Sequence, residues 1–301
     1  MTSHQSIIDH SHSFLEKIGS RRLMITSEVA VSIIIVSLLV CYHFVMDGPI
    51  NYWMVVIPII GFGLSLMDSC IGMGYGTIGS PLLIILGFSS KLVVPSILIS
   101  QAVTAVIAST LHQRRRNVNY FDIKGNDLRI VSRLISFGLI GTIIGAVVAV
   151  QLSKAYLNTY IGLLVIAMGV LLLLRPSITF TWLKVNLLSL VSGFNKAMSG
   201  GGYGPVATTG LLVSGNPVKN SVGATLFSVI FINITSFIIF LATKSMTSFQ
   251  LPIFLTIGVL VGSQLGPRIT GRFGGSRIAK ALFAFISMTM GMLTIFLTFV
   301  T

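Results

Sequence analysis

The chain has 301 residues, of which 53% are hydrophobic and only 9% charged, and its mean hydropathy is +0.94. A soluble domain carries about a quarter charged residues, so this composition excludes one and points to a helical integral membrane protein. Twenty Lys and Arg stand against seven Asp and Glu, a formal net charge of +13, but they lie in short loops between apolar runs. They form no basic face with interleaved aromatics, which excludes nucleic acid as the partner.

In chain order, a polar tail over 1–27 holds Lys17, Arg21 and Arg22 and precedes the apolar run Val29–Met46. That run is too long for a signal-peptide core and lacks a small-residue cleavage site. It predicts an extra N-terminal transmembrane helix over 28–47, with the tail cytoplasmic. Further apolar segments follow at 53–68, 77–88, 92–111, 129–151, 156–174, 183–198, 205–214, 219–243, 250–267 and 278–300. Most are long enough for a membrane helix of about 20 residues. The runs 77–88 and 205–214 are too short, and each abuts a glycine cluster. Cys41 and Cys70 both sit in apolar surroundings, so neither a disulfide framework nor a Cys-rich metal site is expected.

Loop charge orients the spans. With the tail inside and each glycine-linked pair (53–68 with 77–88, 183–198 with 205–214) making no net crossing, the arginines 114–116, 129, 133, 175, 268, 272 and 277 fall inside. Lys124, Lys184, Lys219 and Lys280 join them, and only Lys91, Lys154 and Lys244 fall outside. Two short crossings and one re-entrant hairpin fit this count equally well. The expectation is a multi-pass protein of the cell (inner) membrane, with the C-terminus outside.

The chain also repeats itself. Residues 72–101 align with 200–229 without a gap, and ten of thirty positions match, including Gly72/Gly200, Gly74/Gly202, Tyr75/Tyr203, Gly76/Gly204 and Ser100/Ser228. Gly141/Gly145 and Gly262/Gly266 form a second repeated spacing, which we read as helix packing. Two halves are therefore expected, 48–174 and 177–301. Each makes an odd number of crossings, so the second is inverted. The fold class is an all-α polytopic bundle of two inverted repeats with glycine-broken short helices, plus the extra N-terminal helix.

Paired broken segments in inverted halves mark a carrier's site at the bilayer midplane. Open backbone at membrane depth is tolerated only where protein or a water-filled cavity satisfies it. Thr77 and Pro205 predict helix starts just after the clusters, with amino ends that suit an anion. The candidate binding set is Gly72, Gly74, Tyr75, Gly76, Thr77, Ser80, Ser199, Gly200, Gly201, Gly202, Tyr203, Gly204 and Thr208. Asn195, beside Lys196, and Gln101, beside the repeated Ser100, extend it; Asn233 and Gln264 are further polar residues in apolar helices.

Asp68 and Lys196 occupy equivalent positions and are the clearest ionisable residues at depth, where charge is costly. Three readings stay open. They pair across the axis; or Lys196 binds the anion while Asp68 takes a coupling proton; or both lie in wet hairpin ends.

The stretches "GMGYGTIGSPLLIILG" and "SGGGYGPVATTGLLVSG", each followed by a Ser/Ala/Thr-rich helix, resemble the sulfite exporter TauE/SafE family, also called the TSUP transporters. The resemblance runs over about 55–300. It implies transport of small anions, often sulfur-containing: sulfite, sulfoacetate, thiosulfate or organosulfonates. No cofactor is expected, and the protein is expected to be a monomer or homodimer in the lipid bilayer. Met73-Gly74-Tyr75 departs from the plain glycine run that members often carry.

Two other classes compete. Gly74-Tyr75-Gly76 and Gly202-Tyr203-Gly204 resemble a potassium-channel filter, but Gly72-Met73 and Gly200-Gly201 stand where Thr-Val belongs. Inverted halves would also place the two loops on opposite hands. An intramembrane hydrolase built on Ser199 needs a histidine at its depth, and His43 and His112 both fall near helix ends.

Overall fold

The computed structural model describes residues 53–120, 126–174, 181–246, 248–273 and 277–300. The polar tail and the helix expected over 28–47 lie outside the described residues. Among these, ten helices and no strand are found, in the order α1 (Trp53–Ile71), α2 (Tyr75–Ile85), α3 (Ser90–Arg114), α4 (Asn126–Gln151), α5 (Lys154–Leu174), α6 (Trp182–Ser199), α7 (Tyr203–Val213), α8 (Val218–Ala242), α9 (Gln250–Phe273) and α10 (Arg277–Val300). Six are long and apolar enough to cross a membrane: α3, α4, α5, α8, α9 and α10. Large apolar side chains such as Tyr156, Leu174, Ile278, Phe285 and Phe299 stand exposed along them. A surface of that kind belongs in hydrocarbon, not in water.

The repeat read from the sequence reappears as geometry. Both α2 and α7, and both α3 and α8, begin and end 128 residues apart. Helix partners obey the same exchange. Helix α1 packs most closely on α9 and α6 on α4, while α5 packs on α10 and α3 on α8. Each half thus lends its fourth helix to the first helix of the other half.

Glycine makes those exchanged contacts possible. A Cβ on Gly141 would meet the Leu190 carbonyl, one on Gly145 the Phe194 carbonyl, and one on Gly193 the Gly138 carbonyl. On the other side, Gly258 lies against the Pro58 carbonyl, Gly262 against Phe62 and Gly266 against Ser69. Lipid tails are as apolar as leucine, so helices in a bilayer gain from close backbone approach rather than from leaving water. The repeated Gly-x-x-x-Gly spacing is helix packing, as expected.

Helix α2 turns back along α1. Eleven residues of α2 span about 16 Å at 1.5 Å per residue, roughly half a hydrocarbon core of about 30 Å. The ring of Trp53, opening α1, lies edge-on to Phe88, just past α2, with centroids 5.3 Å apart. The first hairpin therefore starts and finishes at one level. Both helix starts fall two residues ahead of the expected positions, at Tyr75 and Tyr203, because the tyrosines themselves join the first turn.

Candidate functional site

Helices α1 and α6 end the same way. Gly72 and Gly200 turn the chain with φ of 75° and 72°, a left-handed conformation that glycine alone adopts at little cost. Their amides return to the carbonyls of Asp68 and Lys196, at 2.7 and 2.8 Å. Each turn leads through three residues to the amino end of a short helix, and the two turns cross.

At the crossing the halves touch backbone to backbone. A Cβ on Gly76 would meet the Gly200 carbonyl, and one on Gly204 the Gly72 carbonyl, two contacts related by the 128-residue exchange. Polar side chains stitch the strands together. The Thr208 hydroxyl donates to the Gly72 carbonyl at 3.0 Å, and the Gly202 amide donates to Thr77 Oγ1 at 3.2 Å. Ser80 takes the place equivalent to Thr208, with its oxygen against Gly200, but it finds no hydrogen-bond partner. Gly76, Gly201 and Gly204 therefore have a packing cause: the space their side chains would fill is taken by the backbone of the opposite turn.

The ionisable pair lies in the same place, fully enclosed; Asp68 is 2% exposed and Lys196 1%. Gln101 of α3 joins them. Its Nε2 donates to Asp68 Oδ2 at 2.7 Å, and its Oε1 accepts from Lys196 Nζ. The ammonium donates as well to the Gly200 carbonyl at the end of α6, while Asp68 accepts from the Tyr75 amide at the start of α2. Thus the carboxylate caps a helix amino end and the ammonium a carboxyl end, the signs that helix dipoles favour. The residue equivalent to Gln101 in the second half is Val229, so this bridge exists once and breaks the symmetry.

Tyr75 and Tyr203 do not face each other across the axis. Tyr75 donates to Ser100 Oγ at 2.8 Å within one apolar cluster. Tyr203 pairs with Ser228 and reaches the Leu134 carbonyl at 3.4 Å within another. Ser199 donates to the Asn195 carbonyl and accepts from the Gly201 amide, which closes the α6 turn. Asn195 accepts from Tyr160 of α5 at 2.6 Å, away from the Lys196 bridge. Gly74 lies against Met67 and Phe283, and Gly201 against the Gly76–Thr77 peptide.

His112, weighed above as a distant catalytic partner, instead sits at 3.1 Å from the Ser69 carbonyl and 3.1 Å from Asn117. It ties the end of α3 to α1. Nearby, Tyr120 donates to the Gly223 carbonyl at 2.9 Å and stacks on Phe227, and burial pushes its phenol pKa up. Among the described residues no three His, Cys, Asp or Glu gather into a metal-binding group.

Ten helices with a buried charge bridge at the meeting of two helix breaks define a polytopic membrane protein of the transporter class. The comparisons with known proteins give the family. The model of the sulfite exporter TauE/SafE family matches residues 56–293, and the chain belongs to that family, which comprises membrane transporters and not enzymes. It is 29% identical over 170 residues to the probable membrane transporter protein YtnM of Bacillus subtilis (strain 168). That match covers 53% of this chain, which spans about half (54%) of the relative. No solved structure matches.

Proposed function

We propose that the protein is a secondary carrier of small anions, most of all sulfur oxyanions and organosulfonates, working by alternating access around the helix-break crossing. The observation that carries this reading is the buried Asp68–Gln101–Lys196 bridge, which links the amino end of α2 to the carboxyl end of α6. Lys196 supplies the positive charge an anion needs, and the unequal halves restrict the site to one such charge. The hydroxyls of Ser199 and Thr208 and the amides of Tyr203 and Gly204 stand ready around it when the two turns part.

Charge accounting adds a coupling ion. The bridge as drawn is neutral, one carboxylate balancing one ammonium. A monoanion entering it leaves one negative charge uncompensated in a medium where an unpaired ion costs several kcal/mol. A proton on Asp68 removes that charge, so a monoanion travels with one proton. The halves are inverted with respect to the membrane, three full spans in each making the crossing count odd.

Purified protein in liposomes tests this with a panel of sulfite, thiosulfate, sulfoacetate, simple carboxylates and K⁺. The expected result is uptake of at least one sulfur anion, with alkalinisation on the side it leaves, loss of uptake in Lys196→Ala and partial retention in Lys196→Arg. Movement of inorganic cations alone would overturn the reading and favour the filter-like alternative.

A further inference from the structure

Many buried serines and threonines in this protein share one habit, though Ser80, Ser90, Thr209 and Ser287 have no partner. Ser96, Ser100, Ser189, Ser192, Ser228, Ser263, Thr270 and Thr294 each donate to the carbonyl four residues earlier in their own helix. Helix α8 keeps it at Ser228 but departs from it at four other positions. The hydroxyls of Ser221, Thr225 and Ser236 and both amide atoms of Asn233 have no partner, although these residues are at most 2% exposed. Buried polar atoms are nearly always hydrogen-bonded, so a run of them on one helix calls for a cause.

Their placement is not random. At 100° per residue, Ser221, Thr225 and Ser236 share one face of α8 and Asn233 flanks it. The row runs about 22 Å along the axis. Its Ser221 end lies in a tight recess, with no room for a water, lined by Asp127, Asn216 and Asn220 and by the apolar Ile130, Leu211 and Ala224. Asn220 donates there to both oxygens of Asp127, at 2.9 and 3.0 Å, and leaves Ser221 unengaged. Val229, at the level of Gln101 in the other half, stands midway, so Ser221 and Thr225 lie before the crossing and Asn233 and Ser236 beyond it.

The equivalent face of α3 is the control that the repeat provides. There the same four positions are Val93, Ile97, Ala105 and Ala108, each wholly buried and wholly apolar. At these four positions one half is apolar and the other carries donors and acceptors that nothing in the protein satisfies, although Ser90, Ser100 and Thr104 lie on the same face of α3 and Ser90 too lacks a partner.

We propose that the row Ser221–Thr225–Asn233–Ser236 is the wall along which the transported anion moves between the recess and the far side of the crossing. This rests on the carrier reading above. Hydroxyl and amide donors suit an oxyanion shedding part of its water. They accept it without holding it, since none carries charge.

Cysteine labelling tests the path. In a Cys41→Ser, Cys70→Ser background, four matched pairs are made: Ser221→Cys with Val93→Cys, Thr225→Cys with Ile97→Cys, Asn233→Cys with Ala105→Cys, and Ser236→Cys with Ala108→Cys. Membranes are treated with 2-sulfonatoethyl methanethiosulfonate, itself a small sulfonate, and with its trimethylammonium counterpart. The expected result is labelling at the α8 positions at least ten-fold faster than at their α3 partners, with the sulfonate the faster reagent. Serine-to-cysteine changes are nearly isosteric, so Ser221 and Ser236 keep the test sound if Asn233→Cys fails to fold. Equal rates on α3 and α8, or no reaction on α8, overturn the path. Faster labelling of α8 by the cationic reagent leaves the path standing and overturns the anion reading instead.

Discussion

Replacing Gly76 with alanine tests the crossing directly. The new methyl points at the Gly200 carbonyl, and the Gly200 carbonyl carbon and the Gly201 Cα stand behind it. All three are backbone atoms, so no rotamer change relieves the overlap; the two turns have to separate. Overpacking of this kind costs about 1–3 kcal/mol when neighbours can yield, and here the loss is expected at the upper end, ~3 kcal/mol. Separation also weakens the Thr208–Gly72 and Gly202–Thr77 bonds. Gly63→Ala is the matched control: its methyl meets nothing within 4 Å, and removing a helical glycine stabilises by about 0.5–1 kcal/mol. Gly204→Ala mirrors Gly76→Ala by pressing on the Gly72 carbonyl. Because either methyl drives the same turns apart, the double variant should lose less than the sum, with a coupling of about 0.5–3 kcal/mol. Denaturant unfolding of the four proteins in detergent, followed by intrinsic fluorescence, gives the ranking. Strict additivity, or Gly76→Ala as stable as Gly63→Ala, would refute the crossing as the reason for these glycines.

Thr208→Ala removes one hydrogen bond across the crossing and should cost only about 0.6 kcal/mol in the same unfolding assay. A loss as large as that of Gly76→Ala would mean that the hydroxyl, not close approach, holds the turns together. Gln101→Leu leaves a carboxylate and an ammonium each short of a buried partner, for an expected loss of about 1–3 kcal/mol per stranded group. Val229→Gln, at the equivalent place in the other half, should not restore it; rescue by the double change in a thermal-shift assay would show that the bridge is not tied to one half. Gly193→Ala and Gly258→Ala press α6 from α4 and α1 from α9 and should destabilise alike, by about 1–3 kcal/mol each; crosslinking yield between cysteine pairs on the two interfaces reads the separation.

Much of this architecture was legible in the sequence because it depends on local signals. Glycine-broken apolar runs gave the two turns, and the 128-residue offset gave two halves whose helices α2, α3, α7 and α8 keep that offset at both ends. The equivalence of Asp68 and Lys196 pointed at the charged centre. The pairing of α1 with α9 and of α4 with α6 was not legible, since a helix face says that it is buried but not against which partner. Gln101 was singled out for its neighbour Ser100, yet its bond to both charges depends on the approach of α3 to α1 and α6. The polar row on α8 was visible only as Asn233. The structure showed that Ser221, Thr225 and Ser236 lack partners. Subtracting one half of a repeat from the other is a signal that could have found them, because Val93, Ile97, Ala105 and Ala108 differ from them in polarity at every position.

The exchanged fourth helices have a consequence for how the protein is made. When α1 enters the bilayer, the surface it is shaped for, with Gly61 waiting on the Leu255 backbone, is some two hundred residues from being synthesised. Helix α1 must therefore persist in the lipid with its glycine-pitted flank unmatched, and it closes only when α9 arrives. A fragment ending after α5 is then expected to insert but to remain loose, and to tighten when the second half is supplied as a separate chain. The protein's integrity is decided late, when α9 and α10 join the helices already inserted.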